Sequence, residues 1–250
     1  KDNKILFNTQ VISKGYLLMM RNIIINNKQL SFLVENIKNK KTLSEIASLN
    51  RLILLDVDDT LLSPQDIYIY RQLPTDDEEV ALTPHEYSKE MVTPETRPYY
   101  DYRDFDDIDT IKNSIITGKP IVANLEIMDD LLTRGYKLGI LTARGMEDTV
   151  FEGLKEFLMY KNKQGELVNI GDKLSRDLVF AINDIERVKD LAGTTDFEKK
   201  AEVIKTLLDS FDQIIFIDDD MQNIKATKEM KRQLPDEQKN KLYVMSAKEI

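Results

Sequence analysis

The sequence predicts an α/β fold: a mostly parallel five-stranded sheet with helices on both faces, carrying one insert and preceded by an N-terminal appendage. Three observations support that expectation. Short, nearly continuous apolar runs recur at Arg51–Val57, Lys137–Thr142, Leu178–Ile182, Gln213–Ile217 and Leu242–Met245, as expected of strands buried on both faces. A stretch with helical spacing lies between each successive pair: Leu125–Arg134, Thr149–Tyr160, Phe197–Ser210 and Met221–Leu234. Strands alternating with helices build parallel sheets, with the crossover helices covering both faces. Finally, the periodicity fails over Ser63–Lys119, a stretch too long for an ordinary loop.

Taken in order, residues 1–50 form the appendage. Ile23–Asn27 is a β-branched run ending in polar residues, and Leu30–Leu49 has helical spacing with Leu30, Leu33, Val34 and Ile37 on one face. Ser44 can open a second short helix. Nothing there carries chemistry, and the expected role is packing, docking to a protein partner, or self-association. The core spans 51–250. Within it, the insert 63–119 holds Pro64, Pro74, Pro84, Pro94 and Pro98, many acids, and the aromatic group Tyr99, Tyr100, Tyr102 and Phe105. Its place after the first strand sets it over the strand ends. Gly135 stands where a helix C-terminus favours glycine. Lys161–Arg176 reads as a loop or hairpin with turns at Gly165 and Gly171.

Bulk composition removes several classes. A formal net charge of -9 argues against a broad nucleic-acid surface, which is normally basic. It leaves room for a small phosphorylated ligand, because one bound cation reverses the local field. With no cysteine there is no disulfide, thiolate metal site or cysteine nucleophile. The single histidine, His85, excludes a multi-histidine zinc site and reads as a surface or packing residue. The apolar stretch Gly15–Ile25 is broken by Arg21, is too short to span a bilayer and lacks a cleavage-site pattern. The expectation is a cytoplasmic protein with no membrane association.

Ligands of parallel sheets sit at the carboxyl ends of the strands, so the polar residues there are the candidates. The first run ends in Asp56-Val57-Asp58-Asp59-Thr60. In extended backbone Asp56 and Asp58 share a side. Two such carboxylates repel unless a cation compensates, and a hard ion such as Mg²⁺ suits an all-oxygen site. One carboxylate can then attack phosphorus while the other moves a proton. The bland alternative is a helix N-terminus capped by Asp58, Asp59 or Thr60. The second run ends in Thr142-Ala143-Arg144. A threonine hydroxyl and the amides after it can hold a phosphoryl oxygen, and an arginine can add a charged fork; a capping threonine and a surface arginine are the alternative. The fourth run ends in Asp218-Asp219-Asp220, three acids that are costly together without a cation. Glu198-Lys199-Lys200-Ala201 opens the preceding helix and brings lysines within reach.

In order and spacing these pieces resemble the haloacid dehalogenase (HAD) superfamily. Asp56-x-Asp58-x-Thr60 is similar to its first motif, Thr142 to its second, Lys200 to its third, and Asp218-Asp219 to its fourth. The likeness runs over about residues 50–246, leaves Ser63–Lys119 unmatched, and is most specific at the first motif. Asp59 stands where many members have glycine, and Lys199 is a possible substitute for Lys200. The resemblance implies a Rossmann-like core with a cap-like insert after motif one. It implies that Asp56 attacks phosphate to give an aspartyl-phosphate, and that Asp58 protonates the leaving group and later activates water. Mg²⁺ would be held by the Asp56 side chain, the Asp58 backbone carbonyl and Asp219, with Asp218 adjacent. Thr142 and Lys200 would hold the transferring group, with Thr60, Ala143 and Arg144 beside the substrate. An acid at position 58 favours phosphotransfer over dehalogenation, since the family's dehalogenases lack it.

The implied activity is Mg²⁺-dependent phosphatase action on a small phosphorylated metabolite, a nucleotide being one candidate. In the insert, Tyr99, Tyr100 and Tyr102 can stack on a base or sugar and Arg97 or Arg103 can meet a second phosphate, against the plainer alternative that the tyrosines pack the insert. Two further readings compete. One is a polynucleotide 3′-phosphatase, which the acidic balance counts against. The other is a structural or assembly protein, for instance phage- or virus-associated, that retains the fold.

Overall fold

The computed structural model describes residues 49–93, 95–184 and 195–249; the expected appendage, but for Leu49 and Asn50, lies outside them. Along the chain come β1 (Arg51–Leu55), β2 (Leu62–Ser63), β3 (Ile69–Arg71), β4 (Val80–Leu82), α1 (Pro84–Tyr87), β5 (Tyr100–Asp101), α2 (Ile108–Thr117) and β6 (Lys119–Pro120). They are followed by α3 (Val122–Thr133), β7 (Tyr136–Thr142), α4 (Glu147–Phe157), β8 (Met159–Lys161), β9 (Leu167–Asn169) and β10 (Leu174–Ala181). After the undescribed residues come α5 (Asp196–Leu207), β11 (Gln213–Asp218), α6 (Met221–Gln233), α7 (Asp236–Lys239) and β12 (Leu242–Ser246).

Five strands form the central sheet in the order β10-β7-β1-β11-β12, and every pairing is parallel. All five coincide with the apolar runs of the sequence, and the architecture is Rossmann-like. Successive side chains on a strand point to opposite faces, so β1 feeds two cores. Ile53 and Leu55 join Ile111 and Ile115 of α2, Leu125 and Met128 of α3, and Val150 and Leu154 of α4. Leu52 and Leu54 join Val203 and Ile204 of α5 and Ile224 of α6. The helix ends follow local chemistry. Thr195 and Glu198 form a capping box on α5, and Gly135, at φ +86, closes α3 in the left-handed conformation that favours glycine.

Chain order along the sheet fixes where a ligand can sit. From β1 the chain moves outward through β7 to β10, then returns to the other side for β11 and β12. The direction reverses between β1 and β11, and the crevice beyond their carboxyl ends is the binding position of such sheets.

The stretch 63–119 has its own organisation. Its neck is an antiparallel ladder in which Leu62 pairs with Pro120 and Ser63 with Lys119. Beyond it, a three-stranded antiparallel sheet of order β4-β3-β5 covers a small cluster of Ile67, Ile69, Leu82, Tyr100 and Phe105. Its last part differs from a simple insert: α2, capped by Asp107, packs into the main core through Ile111 and Ile115. The expected hairpin within Lys161–Arg176 is present as β8 and β9, turning at Gly165. Gly171 is not one of its turns. A Cβ there would lie 2.3 Å from the Leu154 carbonyl oxygen, so its glycine answers a close approach to α4. Among the described residues no helix is long and apolar enough to cross a membrane.

Candidate functional site

The site begins with strand register. β1 pairs Leu55 with Ile217 of β11, and the Asp56 amide extends the ladder by donating to the Ile217 carbonyl at 3.1 Å. Asp56 therefore stands beside Asp218, at the reversal point of the sheet. The chain then turns tightly: the Leu61 and Leu62 amides both donate to the Val57 carbonyl. Asp59 at φ +52 occupies the left-handed region, a conformation that favours glycine.

Lys200 ties the two strand ends together. It is 1% exposed, and its Nζ lies 2.9 Å from Asp56 Oδ1 and 2.9 Å from Asp218 Oδ2. Asp218 is saturated: its Oδ1 also accepts from the Asp220 amide at 2.9 Å, and Asn223 Nδ2 is 3.0 Å from both oxygens. Asp56 is not. Its Oδ1 is buried, and despite the nearness of Lys200 no donor among the described residues is aligned on it. Asp219 is buried too, and the half-exposed Lys248 ammonium lies 3.6 Å from it. Asp56, Asp218 and Asp219 each offer an oxygen, all within 4.8 Å of one another.

The electrostatics show a shortage of positive charge. Burial pushes the Asp56 carboxyl well above its ordinary range; Lys200 pulls it back, while Asp218, Asp58 and Asp219 push it further up. Burial and then Asp218 push Asp219 up to about 7, Lys248 opposing. For Lys200 burial alone would lower the pKa, but Asp218 and Asp56 outweigh it and raise it. The ammonium is thus firmly charged, and the acids around it still outnumber the buried cations.

On the other side of β1, Thr142 ends β7, fully buried, and its Oγ1 accepts from the Arg144 amide at 3.3 Å. That leaves the hydroxyl proton free to turn to another acceptor. The Ala143 carbonyl accepts from Asn183 Nδ2 at 2.7 Å, and Asn183 Oδ1 accepts from Lys199 Nζ at 2.9 Å. The adjacent lysines thus differ: Lys200 enters the acidic cluster, whereas Lys199 braces the loop after β7. Thr60 is fully buried with its carbonyl held by Asn124 Nδ2 at 2.7 Å, and its Oγ1 has no hydrogen-bond partner among the described residues.

Arg144 departs from both readings of the sequence. It is neither a surface residue nor a free fork for an anion. Its guanidinium is fully buried, with Nε 3.0 Å from Asp58 Oδ2 and Nη2 2.6 Å from Asp58 Oδ1. Nη1 donates to Ser114 Oγ at 2.8 Å and to the Ile111 carbonyl at 3.2 Å.

The insert meets the core at this same end of the sheet. His85 Nδ1 lies 3.7 Å from Asp59 Oδ2, Arg97 pairs with Asp196 at 3.2 Å, and the Gly145 amide donates to the Phe105 carbonyl at 2.9 Å. Two of its tyrosines pack the insert. Tyr100 is buried and donates to Glu90, and Tyr102 meets the Tyr87 hydroxyl at 2.7 Å. Arg103 stacks on Tyr70 and pairs with Glu79 and Asp101, and Tyr99 is exposed. Ser114, Asn183, Asn223 and Lys248 also belong to the site or its support and were not singled out in the sequence. Asn183 carried a usable signal, being a polar residue just beyond the carboxyl end of a core strand. Comparison of the chain with family models, curated proteins and solved structures returns no match.

Proposed function

We propose that this chain is a HAD-type phosphohydrolase that uses a divalent cation, with Asp56 as nucleophile. The observation that supports it most is the convergence of Asp56, Asp218 and Asp219 at the reversal point of the sheet, with Lys200 between Asp56 and Asp218. The donor set suits Mg²⁺: all oxygen, rich in carboxylate, and short of protein cations. Asp56 Oδ1 has no hydrogen-bond partner among the described residues and Asp219 meets Lys248 at 3.6 Å, whereas Asp218 is occupied in holding Lys200. The resemblance adds the Asp58 backbone carbonyl. A bound Mg²⁺ supplies charge neutralisation and orientation for a phosphoryl group.

The chain's own residues do the rest. An Asp56 oxygen forms a bond to phosphorus as the bond from phosphorus to the leaving oxygen breaks, and that oxygen takes a proton from Asp58. Water then attacks phosphorus and gives its proton to Asp58; the bond between phosphorus and the Asp56 oxygen breaks and phosphate leaves. Thr142 has a hydroxyl proton for a phosphoryl oxygen, and Lys200 keeps the nucleophile in place and balances incoming charge. The insert, joined to the strand ends at His85, Arg97 and Phe105, acts as the cap that meets the leaving group. A small phosphorylated metabolite fits this reading, a nucleotide among them.

The test is phosphate release from nucleotides, sugar phosphates and an aryl phosphate, with Mg²⁺, with EDTA, and in Asp56→Asn. Turnover that needs the metal and disappears in Asp56→Asn is the expected result. A folded protein that turns over nothing, or an Asp56→Asn variant that keeps its rate, removes the proposal.

A further inference from the structure

We infer that Arg144 is a positioning residue for Asp58 and makes no contact with the phosphoryl group, an inference that rests on the phosphohydrolase reading. Asp58 lies in the tight turn after β1, on a backbone whose next residue is left-handed. Its carboxylate is 13% exposed, while the guanidinium facing it is 0% exposed. A carboxylate in such a turn has several rotamers available, and proton transfer needs one of them. Arg144 selects it with both prongs of its fork, one on each Asp58 oxygen, at 2.6 and 3.0 Å.

The fork is itself fixed. Its remaining nitrogen is held by Ser114 Oγ and the Ile111 carbonyl, both on α2. That helix is anchored by Ile111 and Ile115 in the main core. The Arg144 backbone is fixed as well, its amide on Thr142 Oγ1. Four of the five guanidinium N–H groups are thereby engaged, so a phosphoryl oxygen that took the fork itself would have to displace Asp58 or a buried acceptor on α2. Either change leaves a buried polar group unpaired, which is costly. The two motif segments are thereby joined: the residue two after the phosphate-holding threonine orients the acid two after the nucleophile.

A double-mutant cycle distinguishes positioning from substrate binding. Arg144→Lys keeps the charge and loses the fork. It is measured alone and in an Asp58→Asn background, with p-nitrophenyl phosphate and Mg²⁺. Alone it is expected to lower kcat about 100-fold, the usual size of a lost proton-transfer group, with KM within about twofold of wild type. In the Asp58→Asn background the same change should lower kcat less than about threefold further, because a residue acting only through Asp58 has nothing left to orient. Losses that multiply, with KM rising about tenfold or more, would mean that Arg144 binds the phosphoryl group, and would overturn the inference. Should Arg144→Lys fail to fold by circular dichroism, Ser114→Ala takes its place, since it removes one of the two acceptors that steady the remaining guanidinium nitrogen and leaves Asp58 untouched. A several-fold fall in kcat at constant KM, absent in the Asp58→Asn background, then supports positioning; an unchanged kcat overturns it. Wild-type turnover abolished in Asp56→Asn establishes the underlying reading separately. Multiplied losses then sink this inference alone, whereas no wild-type turnover sinks both.

Discussion

Lys200 and Arg103 each face two carboxylates, and the resemblance ends there. Lys200 is sealed between Asp56 and Asp218 at the centre of the sheet, 1% exposed against partners at 10% and 0%. Arg103 lies on the insert, 49% exposed, between Glu79 and Asp101, which are 42% and 52% exposed. The Lys200 pKa rises because two buried carboxylates outweigh the burial that would lower it; that of Arg103 rises first through its hydrogen bonds to Glu79. The difference lies in what remains when the cation is removed. Around Arg103 water takes over, while around Lys200 burial keeps the stranded carboxylates from that solvation.

Lys200→Met therefore gives the largest expected effect. It strands Asp56 and Asp218 in the core, and breaking a buried pair in this way costs about 3–5 kcal/mol. Urea unfolding in EDTA should show a midpoint lowered accordingly with the slope unchanged. Loss of activity without loss of stability would mean that Lys200 serves the substrate alone, and would collapse the contrast with Arg103.

The same contrast explains what could be read from the sequence. The five core strands were visible because strands buried on both faces must be continuously apolar. The acids at Asp56, Asp58, Asp218 and Asp219 were visible because charge immediately after such a run is unusual. In the insert the strands span two or three residues, as in Ile69–Arg71 and Tyr100–Asp101, too short for any period to register. Helix α2 went unseen amid proline- and acid-rich sequence, since only Ile111 and Ile115 among its apolar residues turn inward. The direction of the Arg144 fork was beyond sequence altogether. It depends on Ser114 and Ile111, which reach the site through the packing of α2 against α4.

A smaller effect should appear in the pH dependence of cation binding. The Asp219 pKa is about 7 in the fold, raised by burial and then by Asp218, and that of Asp56 is raised as well; an unfolded aspartate sits at about 4. The folded state holds protons that the unfolded state releases, so the metal-free fold loses stability as pH rises from about 4 through 7. A cation needs the deprotonated carboxylates, so it restores most at high pH. Stabilisation by Mg²⁺ at about 100 times its dissociation constant reaches about 2.7 kcal/mol. Thermal unfolding with Mg²⁺ and with EDTA should show a clear upward shift at pH 8 that shrinks at pH 5. Equal shifts at the two pH values would mean that the cation binds somewhere other than these acids.

Arg103→Ala is the opposite limit. Its partners Glu79 and Asp101 are already half in water, so their charges are solvated once the guanidinium is gone. What the substitution removes in addition is the stacking of Arg103 over Tyr70, at 3.6 Å. The cluster beneath, built on Ile67, Ile69, Leu82, Tyr100 and Phe105, keeps every one of its side chains. The unfolding midpoint should be indistinguishable from wild type, and phosphate release should be unchanged, since Arg103 is turned toward Glu79 and Asp101. A substrate-specific rise in KM would instead return Arg103 to the second-phosphate role that its sequence position suggested. A marked loss of stability would show that the insert, for all its exposure, depends on its ion pairs as the core depends on Lys200.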